Sequence, residues 1–393
     1  MNEVFVVAGV RTAVGAFGGA LKDVPPGRLG ATVTAEAVRR AGAEPSQVGH
    51  VVFGQVIPTE PADAYISRVV AVEAGIPVET PAMTVNRLCG SGLQAVLSAA
   101  QAIMLGDAEM TVGGGVENMS RAPFQVSSAR WGRKLGDTTL TDVLSGALTD
   151  PFQRILMGVT AENVAERYQV TRKEQDALAL ESHRRAAAAT RTGIFTEQIV
   201  PVEAGAGKRV VRFTVDEHVR EDVDADELAG LHTVFKREGG SVTAGNASGI
   251  NDGAAALVLA SRDAVQRNGL SPLARLVAYG HAGVDPAYMG IGPVPATRHA
   301  LAKAGLRVED LDVIESNEAF AAQACAVARE LRFDPAKVNP NGSGISIGHP
   351  IGATGAINVV KLVHELRRTG GRYGLVTMCI GGGQGIAAIF ERI

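Results

Sequence analysis

The chain has little cysteine, few aromatic residues and no excess of either charge. Three cysteines, Cys89, Cys325 and Cys379, are spread over 393 residues. An odd number so widely spaced is no disulfide framework and fits a reducing compartment, and the absence of CxxC or HxxxH spacing argues against a zinc site or a redox pair. Thirty-eight Lys and Arg face forty-one Asp and Glu, a net charge of −3, so no net basic field draws the chain to nucleic acid or an anionic membrane. With charged residues at 20% and hydrophobic ones at 46%, a disordered chain is excluded. No uncharged run is expected to reach the roughly 18 residues that a bilayer span requires. The start, MNEVFVVAGVRTAVG, reads as a strand from about residue 3 without a leader, so a cytoplasmic protein is expected.

What is abundant is glycine, 47 residues against 17 Phe, Tyr and Trp together. The composition predicts a core of closely packed small residues, with glycines where backbone approaches backbone or ligand. At about 150 residues per domain, the length allows two or three domains and an enzyme-sized cleft.

The order of motifs shows a duplication. AVRRAGAEPSQVGHVVFG from Ala37 matches ALAKAGLRVEDLDVIESN from Ala300 at a constant offset of 263 residues. Each reads as a helix closed by glycine, Gly42 or Gly305, then a strand. The match continues: Cys89-Gly-Ser-Gly-Leu opens a helix that Gly106 closes before Met110–Val112 runs into three glycines from Gly113. His349-Pro-Ile-Gly-Ala opens a helix that Gly370 closes before Leu375–Met378 leads to three glycines from Gly381. Short, almost wholly apolar strands imply sheets buried on both faces. The expectation is a duplicated five-layer α/β/α/β/α fold: one half from 1–119 plus 250–270, the other from 271–393, and an inserted loop domain at 120–249. The insertion contains the only Trp, in the Arg121–Leu148 loop, and a charged helix over Thr171–Thr192.

Three residues stand at glycine turns where such folds place reacting groups. Cys89 lies where a strand pattern gives way to a helical one, so the helix amino terminus should favour its thiolate; the alternative is a buried inert cysteine. His349 lies in the equivalent strand-to-helix turn of the second half, facing Cys89 across the pseudo-twofold, and an imidazole can take the thiol proton; the alternative is a turn histidine satisfied by backbone. The other histidines read as surface. Cys379 ends a strand directly before Ile380-Gly-Gly-Gly. Asn317 and Glu318 follow the strand VIES and are either site groups or a helix cap with its first-turn acid. Cys325 reads as core. Neither glycine triplet has the spacing of a phosphate loop or a dinucleotide fingerprint.

Taken together, Cys89-Gly-Ser-Gly, TAEN at 160–163, AGNASGIND at 244–252, NEAF at 317–320, GHP at 348–350 and CIGGGQG at 379–385 resemble the thiolases, acetyl-CoA acetyltransferases. In the long run NPNGSGISIGHPIGATGA the chain looks most like the bacterial β-ketothiolases. The resemblance implies an acyltransferase working by ping-pong kinetics on acetyl-CoA, acyl-CoA and 3-ketoacyl-CoA, with coenzyme A as substrate and no permanently bound cofactor or metal. By similarity Cys89 is acylated, His349 activates it and Cys379 is the second base. Asn317 with His349 would stabilise the enolate, and amides of Cys89 and Gly381 would form a second oxyanion hole. The insertion would hold coenzyme A through Arg220, Phe235, Ala244 and Ser248, with Phe320 beside them, while Met157 and Met289 would line the acyl pocket. The family implies a homotetramer. Three departures from it, Leu156, Glu227 and His232, are expected to weaken coenzyme A binding. A ketoacyl synthase would replace Cys379, usually by histidine, and a noncatalytic acyl-CoA binder would tolerate loss of either base; both bases are present.

Overall fold

The structure is a computed structural model that describes residues 2–205 and 210–393. Its principal elements are β1 (Val4–Thr12), α1 (Pro26–Ala41), β2 (His50–Gly54), α2 (Ile66–Glu73), β3 (Ala82–Val85), α3 (Ser91–Leu105) and β4 (Met110–Asn118). They are followed by α4 (Met157–Arg167), α5 (Arg172–Arg191), β5 (Asn251–Ser261), β6 (Ala274–Gly283), α6 (Pro293–Ala304), β7 (Val313–Ser316), α7 (Ala321–Leu331), α8 (Thr354–Thr369), β8 (Tyr373–Ile380) and β9 (Gln384–Arg392).

Hydrogen bonding runs in the order β7-β8-β9-β6-β1-β5-β4-β2-β3. The join between β1 and β6 is only two residue pairs wide, Phe5 with Arg275 and Val6 with Ala274. On either side the strand order repeats: β1-β5-β4-β2-β3 in the first half and β6-β9-β8-β7 in the second. The place of β3 in the second half is taken by a single parallel bridge from Ile314 to Val338. The duplicated helix ends repeat to the degree, since Gly42 and Gly305 both cap at φ 66, ψ 27. That left-handed conformation is what glycine supplies without a Cβ penalty.

Buried side chains divide into layers. Leu93, Val96 and Leu97 of α3 and Val359, Val360 and Val363 of α8 form the middle layer, packed on β1 and β5 from one side and on β8 and β9 from the other. Leu29 and Val33 of α1 cover the far face of the first sheet, and Val294 and Leu301 of α6 that of the second. This is the five-layer α/β/α/β/α arrangement. Contrary to the sequence reading, Leu88–Leu105 is long and apolar enough to cross a membrane. Here it is the α3 segment of the middle layer, which is why its surface is apolar nearly all round.

The two glycine triplets serve different ends. Gly113 to Gly115 are not a turn, because β4 runs through them to Asn118. A Cβ at Gly113 would lie 2.7 Å from the Val96 Cα of α3, and one at Gly115 only 2.3 Å from the Gly352 carbonyl oxygen. Close approach of the middle layer is therefore what those positions require. Gly382 and Gly383, by contrast, take φ of 80° and 82° in the turn between β8 and β9.

The insertion differs in detail from the expected loop. Phe124–Gln125 pairs with Thr141–Asp142, a short helix spans Val143–Ala147, and Trp131 is 90% exposed. The charged helix is α5, started by a capping box between Thr171 and Glu174. Two burial readings are corrected. His183 is buried rather than on the surface, because it packs against His218 and accepts the Arg220 N–H at 3.2 Å. Cys325 is only partly buried, since α7 turns that face toward a groove shared with Glu174, Leu178 and Arg329.

Candidate active site

A cavity of about 440 Å³ opens between the insertion and the two halves, lined by Cys89, His349 and Cys379. Cys89 precedes α3, whose N-cap is Gly90. Ahead of it Leu88 is held at φ 45, its N–H donated to Asn86 Oδ1 at 2.9 Å and its carbonyl accepting the Ser91 hydroxyl at 2.6 Å. The backbone N–H groups of Gly381 and of Cys89 itself favour the thiolate. Those donors and the helix terminus do not win, however. Burial pushes the thiol pKa up, with a smaller contribution from Glu117, so the expected resting thiolate is corrected to a thiol.

His349 lies five residues ahead of α8, whose N-cap is Ala353, and no strand precedes it. Residues 339–353 form a turn-rich loop before α8, a consequence of Asn, Gly, Ser and Pro in close succession. Its backbone N–H donates to Asn251 Oδ1 at 2.9 Å, and Nδ1 lies 2.7 Å from Thr354 Oγ1. Gly348 has φ 111 and is pressed so closely on Asn251 that a Cβ would meet it at 2.6 Å. Burial lowers the imidazole pKa to about 4, so the ring is neutral at pH 7 and free to accept a proton.

Cys379 is fully buried near the end of β8. Burial first, and Cys89 beside it second, drive its pKa far upward. Asn317 directs Nδ2 toward His349 Nε2 at 3.4 Å. It is no helix cap: Phe320 is the N-cap of α7, and Asn317 belongs to the exit from β7, with its N–H on the Thr377 carbonyl. Glu318 likewise lies outside the first turn, buried and bonded to Ser182 and Asn339.

The cavity also collects Met157, Met289, Phe235, Ala244, Ser248 and Phe320. Phe235 and Phe320 meet edge to face, with ring centroids 6.3 Å apart, and the Phe235 ring covers Gly158, where a Cβ would lie 2.2 Å from it. The insertion is tied to the second half by Ser248 N–H donating to the Ala319 carbonyl at 2.9 Å and Ala321 N–H to that of Asn246 at 2.9 Å. Gly381 reaches the site through its amide, and a Cβ there would stand 3.3 Å from Met157 Sδ. Arg220 does not line this cavity, and it is exposed. Among the departures Leu156 lines it, at 43% exposure, whereas Glu227 and His232 are exposed outside it. Among the described residues no His, Cys, Asp and Glu cluster has metal-binding geometry.

Glu117 escaped the sequence reading, and Asn251 and Thr354 lay inside quoted motifs without a role, although all three touch the site's framework. The available signal was a Glu within the otherwise apolar run MTVGGGVEN, since a carboxylate in a strand buried on both faces is costly without a purpose.

Comparison with known proteins agrees with this geometry. The family model for the thiolase N-terminal domain matches residues 4–263, and that for the thiolase C-terminal domain matches 270–392. The chain is 64% identical to Beta-ketothiolase BktB of Cupriavidus necator over 392 residues, covering 100% of each. It is 49% identical to an acetyl-CoA acetyltransferase of Chromobacterium violaceum, covering 99% of this chain and 100% of that one. The crystal structure of the Bacillus anthracis acetyl-CoA acetyltransferase superposes with a TM-score of 0.98 at 48% identity, covering 100% of this chain and 99% of that one. Human mitochondrial 3-ketoacyl-CoA thiolase in complex with CoA gives 0.96 at 46% identity, with 100% and 98% covered. With both family models matched, and a nucleophile candidate from one half facing a base candidate from the other, the chain belongs to the thiolase family.

Proposed function

We propose that the protein is an acetyl-CoA C-acyltransferase, a β-ketothiolase that joins acetyl-CoA to acetyl-CoA or a short acyl-CoA and cleaves 3-ketoacyl-CoA with coenzyme A. The observation that carries this reading is the convergence of Cys89, His349 and Cys379 on one apolar cavity.

In the first half reaction His349 takes the Cys89 proton as sulfur attacks the thioester carbonyl; the departing coenzyme A thiolate takes the Cys379 proton, leaving Cys379 as thiolate and the acyl group on Cys89. In the second, Cys379 removes a proton from the α carbon of acetyl-CoA. The enolate oxygen is stabilised by His349 and, through a bound water, by Asn317. The enolate carbon attacks the acyl-Cys89 carbonyl, whose oxygen is held by the Cys89 and Gly381 amides, and collapse releases the 3-ketoacyl-CoA and the Cys89 thiolate, which regains its proton from His349. Coenzyme A lies along Phe235, Ala244, Ser248 and Phe320 with its nucleotide toward Arg220, and Met157 and Met289 bound the acyl group. The insertion at 120–249 holds the coenzyme, and 1–119 plus 250–270 and 271–393 are the catalytic halves. The protein works in the cytoplasm as a homotetramer, for which light scattering at micromolar concentration should return four chains.

Incubation with acetyl-CoA should add one acetyl group to the peptide that carries Cys89, and Cys89→Ser should abolish both half reactions. A label on Cys325 or Cys379 alone overturns the assignment. Thiolysis of acetoacetyl-CoA and 3-ketovaleryl-CoA side by side sets the acyl preference.

A further inference from the structure

The reaction outlined above makes no use of Glu117, a fully buried carboxylate on β4. Its Oε1 accepts the Ile57 N–H at 3.1 Å, and its Oε2 accepts those of Val56 at 3.0 Å and Gly352 at 2.8 Å. Val56 and Ile57 belong to the loop that leaves β2 in the first half. Gly352 belongs to the loop of the second half that carries His349, three residues further on. The same loop is held at His349 itself by Asn251 of β5, whose Nδ2 is fixed on the Gly15 carbonyl at 3.0 Å. Two side chains of the first half thus grip the backbone at and after His349. The fit at Gly352 leaves no room for a side chain, as a Cβ would stand 2.5 Å from Glu117 Oε2.

Three N–H donors aimed at two oxygens favour the carboxylate, which accepts at both, over an amide or a protonated acid, which carries a donor on one of them. No cation hydrogen bonds Glu117 among the described residues. Burial therefore pushes its pKa up to about 8, against the pull of the Ile57, Val56 and Gly352 amides, and Asp63 adds a like charge. When ionised, Glu117 contributes a small part of the rise in the Cys89 thiol pKa.

We propose that Glu117 is a positioning residue for the acyl transfer: through Gly352 it holds the His349 loop of the second half in register with Cys89 of the first. The proposal rests on the reading of Cys89 as nucleophile and His349 as its base.

Glu117→Gln and Glu117→Asp test it, with Cys89 acetylation followed by mass and Cys89 alkylation by iodoacetamide followed against pH. Glu117→Gln should slow acetylation by roughly ten- to a hundredfold, as expected for a displaced base, with the KM for coenzyme A within about twofold. It should also move the alkylation profile to lower pH, because the charge opposing the thiolate is gone. Glu117→Asp, shorter by one methylene but still charged, should slow acetylation and leave the profile in place. An unchanged acetylation rate in folded Glu117→Gln overturns the proposal, as does a slowed rate with an unmoved profile. Should neither variant fold, amide exchange in the wild-type protein decides: Gly352 N–H should be protected as strongly as the amides of β4, and fast exchange there overturns the proposal. Failure of the underlying reading shows separately, as absence of acetyl-Cys89 in the wild-type protein.

Discussion

His349 Nδ1 and Thr354 Oγ1 lie 2.7 Å apart, so the imidazole is oriented by a neutral hydroxyl and not by a carboxylate. A carboxylate would favour the imidazolium; a hydroxyl leaves burial to dominate and the ring uncharged. Between the native pKa of about 4 and the ordinary value of 6.5 the unfolded chain holds a proton that the folded one refuses. Stability is therefore lost as pH falls through that window and is unaffected by this group above it. Denaturant unfolding at pH 7.5 and 4.5 should show the wild type losing about 2 kcal/mol more than His349→Gln on acidification. Equal losses would show that His349 is protonated in the fold.

Cys379→Ala should still accept an acetyl group on Cys89 yet fail to condense, because the α-carbon base is gone while the nucleophile stays. Single-turnover acetylation and steady-state condensation, measured on the same preparation, separate the two. Parallel loss in a folded variant would make Cys379 structural.

Leu156 is the N-cap of α4 and lines the cavity, at a position where the resemblance to the thiolases implies a histidine. Leu156→His should lower the KM for coenzyme A several-fold and change kcat less, since one recovered polar contact far from the reacting carbon is worth about 1 kcal/mol. Kinetics with coenzyme A varied at saturating acetoacetyl-CoA checks this. An unchanged or raised KM would place the pantetheine arm elsewhere.

Gly115→Ala sets a methyl against the Gly352 carbonyl and, 2.9 Å away, the Ala353 Cα. Backbone cannot swing aside, so the change should cost about 3 kcal/mol and slow Cys89 acetylation. Gly42→Ala, with nothing near its Cβ but φ 66, should cost only about 1 kcal/mol and leave acetylation alone. Thermal unfolding and acetylation of the pair provide the check.

The duplication was legible because its signals are local: a glycine that ends a helix, a polar turn, an apolar run. The same locality explains the errors. Asn317 looks like a cap because VIES ends directly before it, yet the chain needs three more residues before α7 begins at Ala321. Cys89, His349 and Cys379, which line one cavity, were singled out from their glycine turns, and the proposed coenzyme contacts from family resemblance. Glu117 and Asn251 stayed hidden because their partners are amides of other segments, which carry no side-chain signature. The thiol of Cys89 was misjudged because a helix terminus is visible in sequence and desolvation is not.

Cys89 and His349 come from opposite halves and are 260 residues apart in the chain. During synthesis at about 5–20 residues per second, the thiol leaves the ribosome roughly 13–50 s before His349 exists. On the proposed mechanism, a growing chain therefore carries Cys89 with neither His349 nor Cys379, and cannot begin to turn over acyl-CoA. Since α3 and α8 share the middle layer, the same late event that closes the core also arms the enzyme, so activity reports completion of the whole fold.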